Sequence, residues 1–100
     1  MQPFPTNLAE IYRLIDDRST FDRGKRYAHE GRVKLAAPPE GDGSENSRRR
    51  WECSVLGSKE YRVILQQHRD DLDIMWCSCP AFVRNGVCKH IAAALTYLVE

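Results

Sequence analysis

The chain has 100 residues, 42% of them hydrophobic and 29% charged, with a formal net charge of +1. That is enough for one domain with one modest core, and too apolar for wholesale disorder. The near-neutral balance excludes a strongly basic chain that coats nucleic acid by charge alone, and any such binding has to come from local patches.

The N-terminal stretch "MQPFPTNLAEIYRLIDD" lacks the basic and apolar regions of a secretory signal. No apolar run approaches the roughly 18 residues of a membrane span. The expected setting is cytoplasmic and reducing, where disulfides are rare. The first helix is predicted to start at Asn7 as N-cap, with Glu10 completing a capping box and Leu8, Ile11, Tyr12, Leu14 and Ile15 at helical spacing. A second start is read at Ser19 with Asp22 three residues on. That helix runs through "FDRGKRYAHE" and stops at Gly31, a residue suited to a left-handed C-terminal position. Gly24 inside it weakens the helix by about 1 kcal/mol relative to alanine, unless another element packs closely there.

From Arg32 the period changes. "RVKLA" alternates polar and apolar residues as a half-buried strand does, and "APPEGDGSENS" after it reads as a mobile loop within the domain. "RRWECSVL" and "KEYRVILQQ" are predicted strands joined at Gly57-Ser58. A turn at "HRDD" leads to the last strand, "LDIMW". The connections are too short for crossovers, so the sheet is expected to be mostly antiparallel. The final helix, "HIAAALTYLVE", puts Ile91, Ala94, Leu95 and Leu98 on one face. The fold class is therefore α+β: N-terminal helices, a small, mostly antiparallel four-stranded sheet, and a C-terminal helix pinned by a metal. The whole reads as a single domain over 1–100, with a helical lead-in (1–31), a sheet (32–76), a metal motif (77–90) and a helix (90–100).

The metal expectation comes from "CSCPAFVRNGVCKH". Cys77 and Cys79 lie two apart, a spacing that shares one face of a strand, and Pro80 ends the ladder. Cys88 and His90 open the last helix. Residues two apart on a helix face nearly opposite ways, so this pair converges only if Cys88 stands at or before the N-cap. There the positive helix end also favours a thiolate. "PAFVRNGV" between the pairs reads as a loop, with Phe82 filling space beside the metal. A disulfide leaves His90 without a role. A redox Cys-x-Cys needs an exposed, activated thiol, and a Cys88–His90 nucleophile pair lacks identifiable oxyanion donors. Iron–sulfur clusters mostly take four thiolates. One structural Zn²⁺ held by Cys77, Cys79, Cys88 and His90 answers the pattern better than these. Cys53 reads as a buried structural thiol, with a substitute-ligand role as the alternative.

Cys77-Ser78-Cys79 followed by Cys88-Lys89-His90 and "IAAAL" resembles the SWIM zinc finger, Cys-x-Cys, a variable gap, then Cys-x-His. "FDRGKRYAHEGRV" and "YRVIL" are similar to what precedes that motif in modules attached to bacterial Swi/Snf-type helicases. The resemblance runs from about Phe21 to the C-terminus. It implies a DNA-binding or protein-binding module within a larger machine, with DNA, RNA or a Swi/Snf-type helicase as the expected partner; with no paired carboxylates or open metal position to name, the chain is not expected to be an enzyme. No G-x-x-x-x-G-K-[ST] phosphate loop is present in the sequence.

Arg84 and Lys89 flank the metal motif, and Arg23, Lys25 and Arg26 cluster on the second helix; these five are the expected nucleic-acid contacts, with Lys89 pointing outward. Arg32, Lys34 and the run Arg48–Arg50 add further positive charge. Trp51, Tyr61 and Trp76 would stack on bases if exposed, although tryptophan reads first as core. Against this, three coordinated thiolates and one Zn²⁺ bring the net charge from +1 to about 0, and acidic residues interleave the basic ones. A protein–protein adaptor without nucleic-acid contact is the alternative.

Overall fold

The computed structural model describes residues 3–37 and 48–100. Residues 38–47, most of the Pro-, Gly- and Ser-rich stretch expected as a loop, lie outside the described residues. The elements are α1 (Leu8–Ile15), α2 (Arg18–His29), β1 (Val33–Leu35), β2 (Arg48–Leu56), β3 (Glu60–His68), β4 (Asp71–Cys77), α3 (Pro80–Asn85) and α4 (Lys89–Val99).

Asn7 caps α1, its side-chain oxygen accepting the Glu10 N–H at 2.9 Å. The return arm of the box is displaced by one residue: Glu10 accepts from the Thr6 hydroxyl at 2.7 Å and the Thr6 N–H at 2.8 Å. These bonds, the hydroxyl first, hold its carboxyl below the usual range. The second helix starts two residues before the predicted site. Asp17 is the N-cap, accepting from the N–H groups of Ser19 (3.0 Å) and Thr20 (3.3 Å), and Asp22 pairs with Arg18. A carboxylate one residue before the helix satisfies two orphan donors at once, which leaves Ser19 inside the first turn. The helix ends as expected at Gly31, φ 75°. Arg32 N–H bonds to Tyr27 C=O and Gly31 N–H to Ala28 C=O, the paired closure of a Schellman motif.

The strands form a meander in the order β1-β2-β3-β4, antiparallel throughout. Alternation sends Cys53, Val55, Val63, Leu65 and Cys77 to a buried inner face. On the outer face one row runs Glu52–Ile64–Trp76. Trp76 there is 41% exposed and Ile74 37%. Trp51 is half-buried and packs on Phe4 at 5.0 Å, so the expectation of core tryptophans holds only in part. Two residues on adjacent positions of one strand point to opposite faces, and Cys77 takes the inner face as a site residue, which turns Trp76 outward.

α4 buries more than one face. His90 through Thr96 are all buried, because the sheet covers one side while α1 and α2 cover another. The three successive alanines, Ala92 to Ala94, allow that enclosure. An added Cβ on Gly24 would lie 2.7 Å from the Lys89 carbonyl oxygen and 2.8 Å from the Ala93 nitrogen. Glycine is therefore the residue that lets α2 and α4 touch, the compensation its helix-weakening position requires.

Candidate metal centre

Four donors from three places in the chain meet inside this enclosure. Cys77 is the last residue of β4. Beyond it Ser78 continues the ladder for one more bond, its N–H donating to Arg62 C=O at 3.0 Å. Cys79 is the N-cap of α3, a short helix where the sequence reading placed a loop. Pro80 explains the difference: its fixed φ and missing N–H suit the first turn of a helix as well as they end a strand. Gly86 (φ 74°) closes α3 with its N–H on Phe82 C=O at 2.7 Å. Phe82 is half-buried against the core. Cys88 is the N-cap of α4 in extended backbone (φ −157°, ψ 166°), the geometry its spacing to His90 demanded.

One ligand atom from each of Cys77, Cys79, Cys88 and His90 lies within 4.8 Å of every other, and all four residues are buried. The Cys77 Sγ and His90 Nδ1 stand 3.8 Å apart. Tetrahedral zinc with Zn–S near 2.3 Å and Zn–N near 2.0–2.1 Å needs donor separations of about 3.6–3.8 Å. Three sulfurs and one imidazole nitrogen are also the donor set that zinc prefers. The cluster is able to hold one zinc ion.

The electrostatics agree with that use. A hydrogen bond with Cys77 pushes the Cys88 thiol down to about 4, helped by His90 and by the Ile91 N–H at the opening of α4. The same shared proton, followed by burial, pushes Cys77 upward. In the folded cluster the helix start thus favours the thiolate at Cys88, and the bond between the two sulfurs favours the proton on Cys77.

Residues 61–99 match the family of the SWIM zinc finger. Residues 61–99 form a SWIM zinc finger. Its matched span opens at Tyr61 on β3 and closes at Val99, so it takes in two strands, both metal-bearing helices and all four donors. Neither a curated protein nor a solved structure matches the chain.

Around the finger the predicted basic residues separate. Arg23 of α2, Arg84 of α3 and Lys89 of α4 line one groove of about 320 Å³, together with Thr20, Tyr61 and the site residues Cys79, Cys88 and His90. Lys89 is half-buried, with Nζ 5.4 Å from the Tyr27 ring centre, and does not project freely outward. Lys25 lies over Phe21 and lines a different groove with Tyr12 and Arg18. Arg26 is exposed and outside the groove's lining. Cys53 is fully buried and stands apart from the donor cluster, across Val63 from Cys77 and so about 10 Å away at ordinary strand spacing. Base stacking by Tyr61 is expected only if the ring is exposed; the ring is half-buried and stacks on His90 at 4.3 Å. The signal for this was its alternation with Val63 and Leu65, which sends it to the inner face.

No described helix is long and apolar enough to cross a membrane.

Proposed function

We propose that residues 1–100 form a single unit in which the SWIM finger's zinc is structural, held by Cys77, Cys79, Cys88 and His90, and that this unit serves as a cytoplasmic nucleic-acid-binding or targeting accessory of a larger DNA or chromatin machine of the Swi/Snf-helicase type. With four protein donors the site is closed, which suits a structural ion and leaves no open position for catalysis. The observation that carries the nucleic-acid reading is the groove beside the finger. Three cations from three helices converge there, and among the described residues none of them is in an ion pair. Unpaired cations in a concave site favour an anion, and a phosphate backbone offers several in series. The test is a salt titration of binding to DNA and RNA oligonucleotides. Affinity should fall steeply with salt, and Lys89→Glu or Arg84→Glu should weaken it and flatten the slope. No binding at low salt by zinc-loaded protein would defeat the nucleic-acid reading.

One observation favours the alternative, an adaptor that docks on a protein such as the helicase itself. Trp76 and Ile74 stand exposed on the outer sheet face, with Ile64 next to Trp76, and exposed apolar strips of this kind mark interaction surfaces. Trp76→Ala should abolish partner capture on that reading and leave oligonucleotide affinity unchanged.

A further inference from the structure

The ligand set leaves open which of the two imidazole nitrogens of His90 faces the metal. We propose that His90 binds through Nδ1, and that Gly57 and Tyr61, at the β2–β3 turn, are the positioning residues that impose this choice. The proposal rests on the zinc centre described above.

Three observations converge on it. Nδ1 is the nitrogen within 3.8 Å of the Cys77 sulfur. Nε2 is turned away, buried and without a hydrogen-bond partner in the described structure. It faces Gly57, where a Cβ would stand 3.1 Å from Nε2 and 3.3 Å from the Tyr61 ring. Gly57 has no positive φ, so its role here is space and not backbone freedom. Finally, Tyr61 stacks on the imidazole at 4.3 Å between ring centres and 29° between planes, with Tyr27 at 6.1 Å tilted against it. The Tyr61 hydroxyl is itself held, 3.2 Å from the Ser58 hydroxyl.

These contacts restrict the ring's two ways of moving. A half-turn of the imidazole puts a carbon where Nδ1 was and leaves Nε2 remote from the sulfurs. Bringing Nε2 to the metal requires the whole ring to shift and turn, and the Gly57 turn against Nε2 and the Tyr61 ring on its face leave little room for that. The ring is seated where the start of α4 meets the sheet, between the turn and the Tyr61 ring. Metal-ligating histidines usually have the second nitrogen fixed by a hydrogen bond to a carboxylate or carbonyl. Here a stack and a tight backbone wall take over the orienting task, and the Nε2 proton points at the wall.

The experiment uses the full chain loaded with one equivalent of zinc and labelled with ¹⁵N histidine. Long-range proton–nitrogen correlation should show His90 with Nδ1 as the metal-bound nitrogen and Nε2 carrying the proton. Nε2 as the bound nitrogen overturns the proposal. Zinc affinity is then measured by chelator competition. Tyr61→Phe keeps the stack and should match the wild type, while Tyr61→Leu should lose about ten- to hundredfold, as outer contacts of metal sites do. Gly57→Ala should weaken zinc and shift the His90 nitrogen signals. Wild-type affinity in both Tyr61→Leu and Gly57→Ala removes the positioning role. Protein that takes up no zinc at all overturns the metal centre and this assignment together, whereas stoichiometric zinc on Nε2 overturns the assignment alone.

Discussion

Gly24 and Lys89 meet backbone to backbone: a Cβ on Gly24 would stand 2.7 Å from the Lys89 carbonyl oxygen. Lys89 lies between Cys88 and His90, so the crossing of α2 and α4 sits directly beneath half of the metal's ligands. Gly24→Ala gains about 1 kcal/mol of helix propensity. Against that, the new methyl meets backbone atoms that cannot rotate away, and overpacking of this kind costs about 1–3 kcal/mol or more. The expected outcome is a lower melting temperature and weaker zinc binding. Gly31→Ala is the control: it is strained by its φ of 75°, at about 1–2 kcal/mol, but meets nothing within 4 Å and should leave zinc affinity intact. A Gly24→Ala protein as stable as the wild type would contradict the close crossing.

Removal of zinc should unfold the region that zinc holds. Structural zinc contributes apparent binding energy of about 10–16 kcal/mol, comparable to a domain's whole stability. Circular dichroism with and without a strong chelator should show loss of α3 and of the start of α4, with a large drop in melting temperature. Cys88→Ser should behave as the chelated protein does. An unchanged melting curve would remove the structural role of the metal.

Zinc uptake should release protons unequally. Cys77 is pushed upward by its bond to Cys88 and by burial, so it gives up a proton to the metal. In the folded cluster Cys88 is pushed down to about 4, so a centre that kept this geometry without zinc would hold a thiolate there at neutral pH. Calorimetry in buffers of different ionisation enthalpy counts the protons. If the centre is assembled before the ion binds, the count is one lower than for three ordinary thiols. A full three would mean that the cysteines are unfolded until zinc arrives.

Cys53 sets an alkaline limit. Burial, and then the charge of Glu52, push its thiol from 9.0 up to about 11. The unfolded chain ionises this thiol first. The stabilising difference is therefore complete below pH 9.0 and is lost as pH rises toward 11, at up to about 2–3 kcal/mol by the usual 1.36 kcal/mol per unit. Cys53→Ala should lessen the alkaline slope of denaturant stability and retain one zinc per chain. Loss of the metal in Cys53→Ala would make Cys53 part of the centre after all.

Features that depend on neighbours along the chain were legible in the order of residues. Two-residue alternation set the strands, and turns too short for a crossover made the sheet an antiparallel meander. The Cys-x-Cys and Cys-x-His spacings named the four donors, and even required Cys88 to stand at the N-cap. Contacts between residues remote in sequence came only with the folded arrangement. The crossing of Gly24 on Lys89, the wall of Gly57 and Tyr61 behind His90, and the gathering of Arg23 with Arg84 and Lys89 all depend on how helices sit against the sheet. Pattern alone could not place α4 at the centre, because a run of alanines carries no strong periodicity until two partners close on it. Nor could it say which face of the sheet the helices would cover, since that is settled only as they pack there.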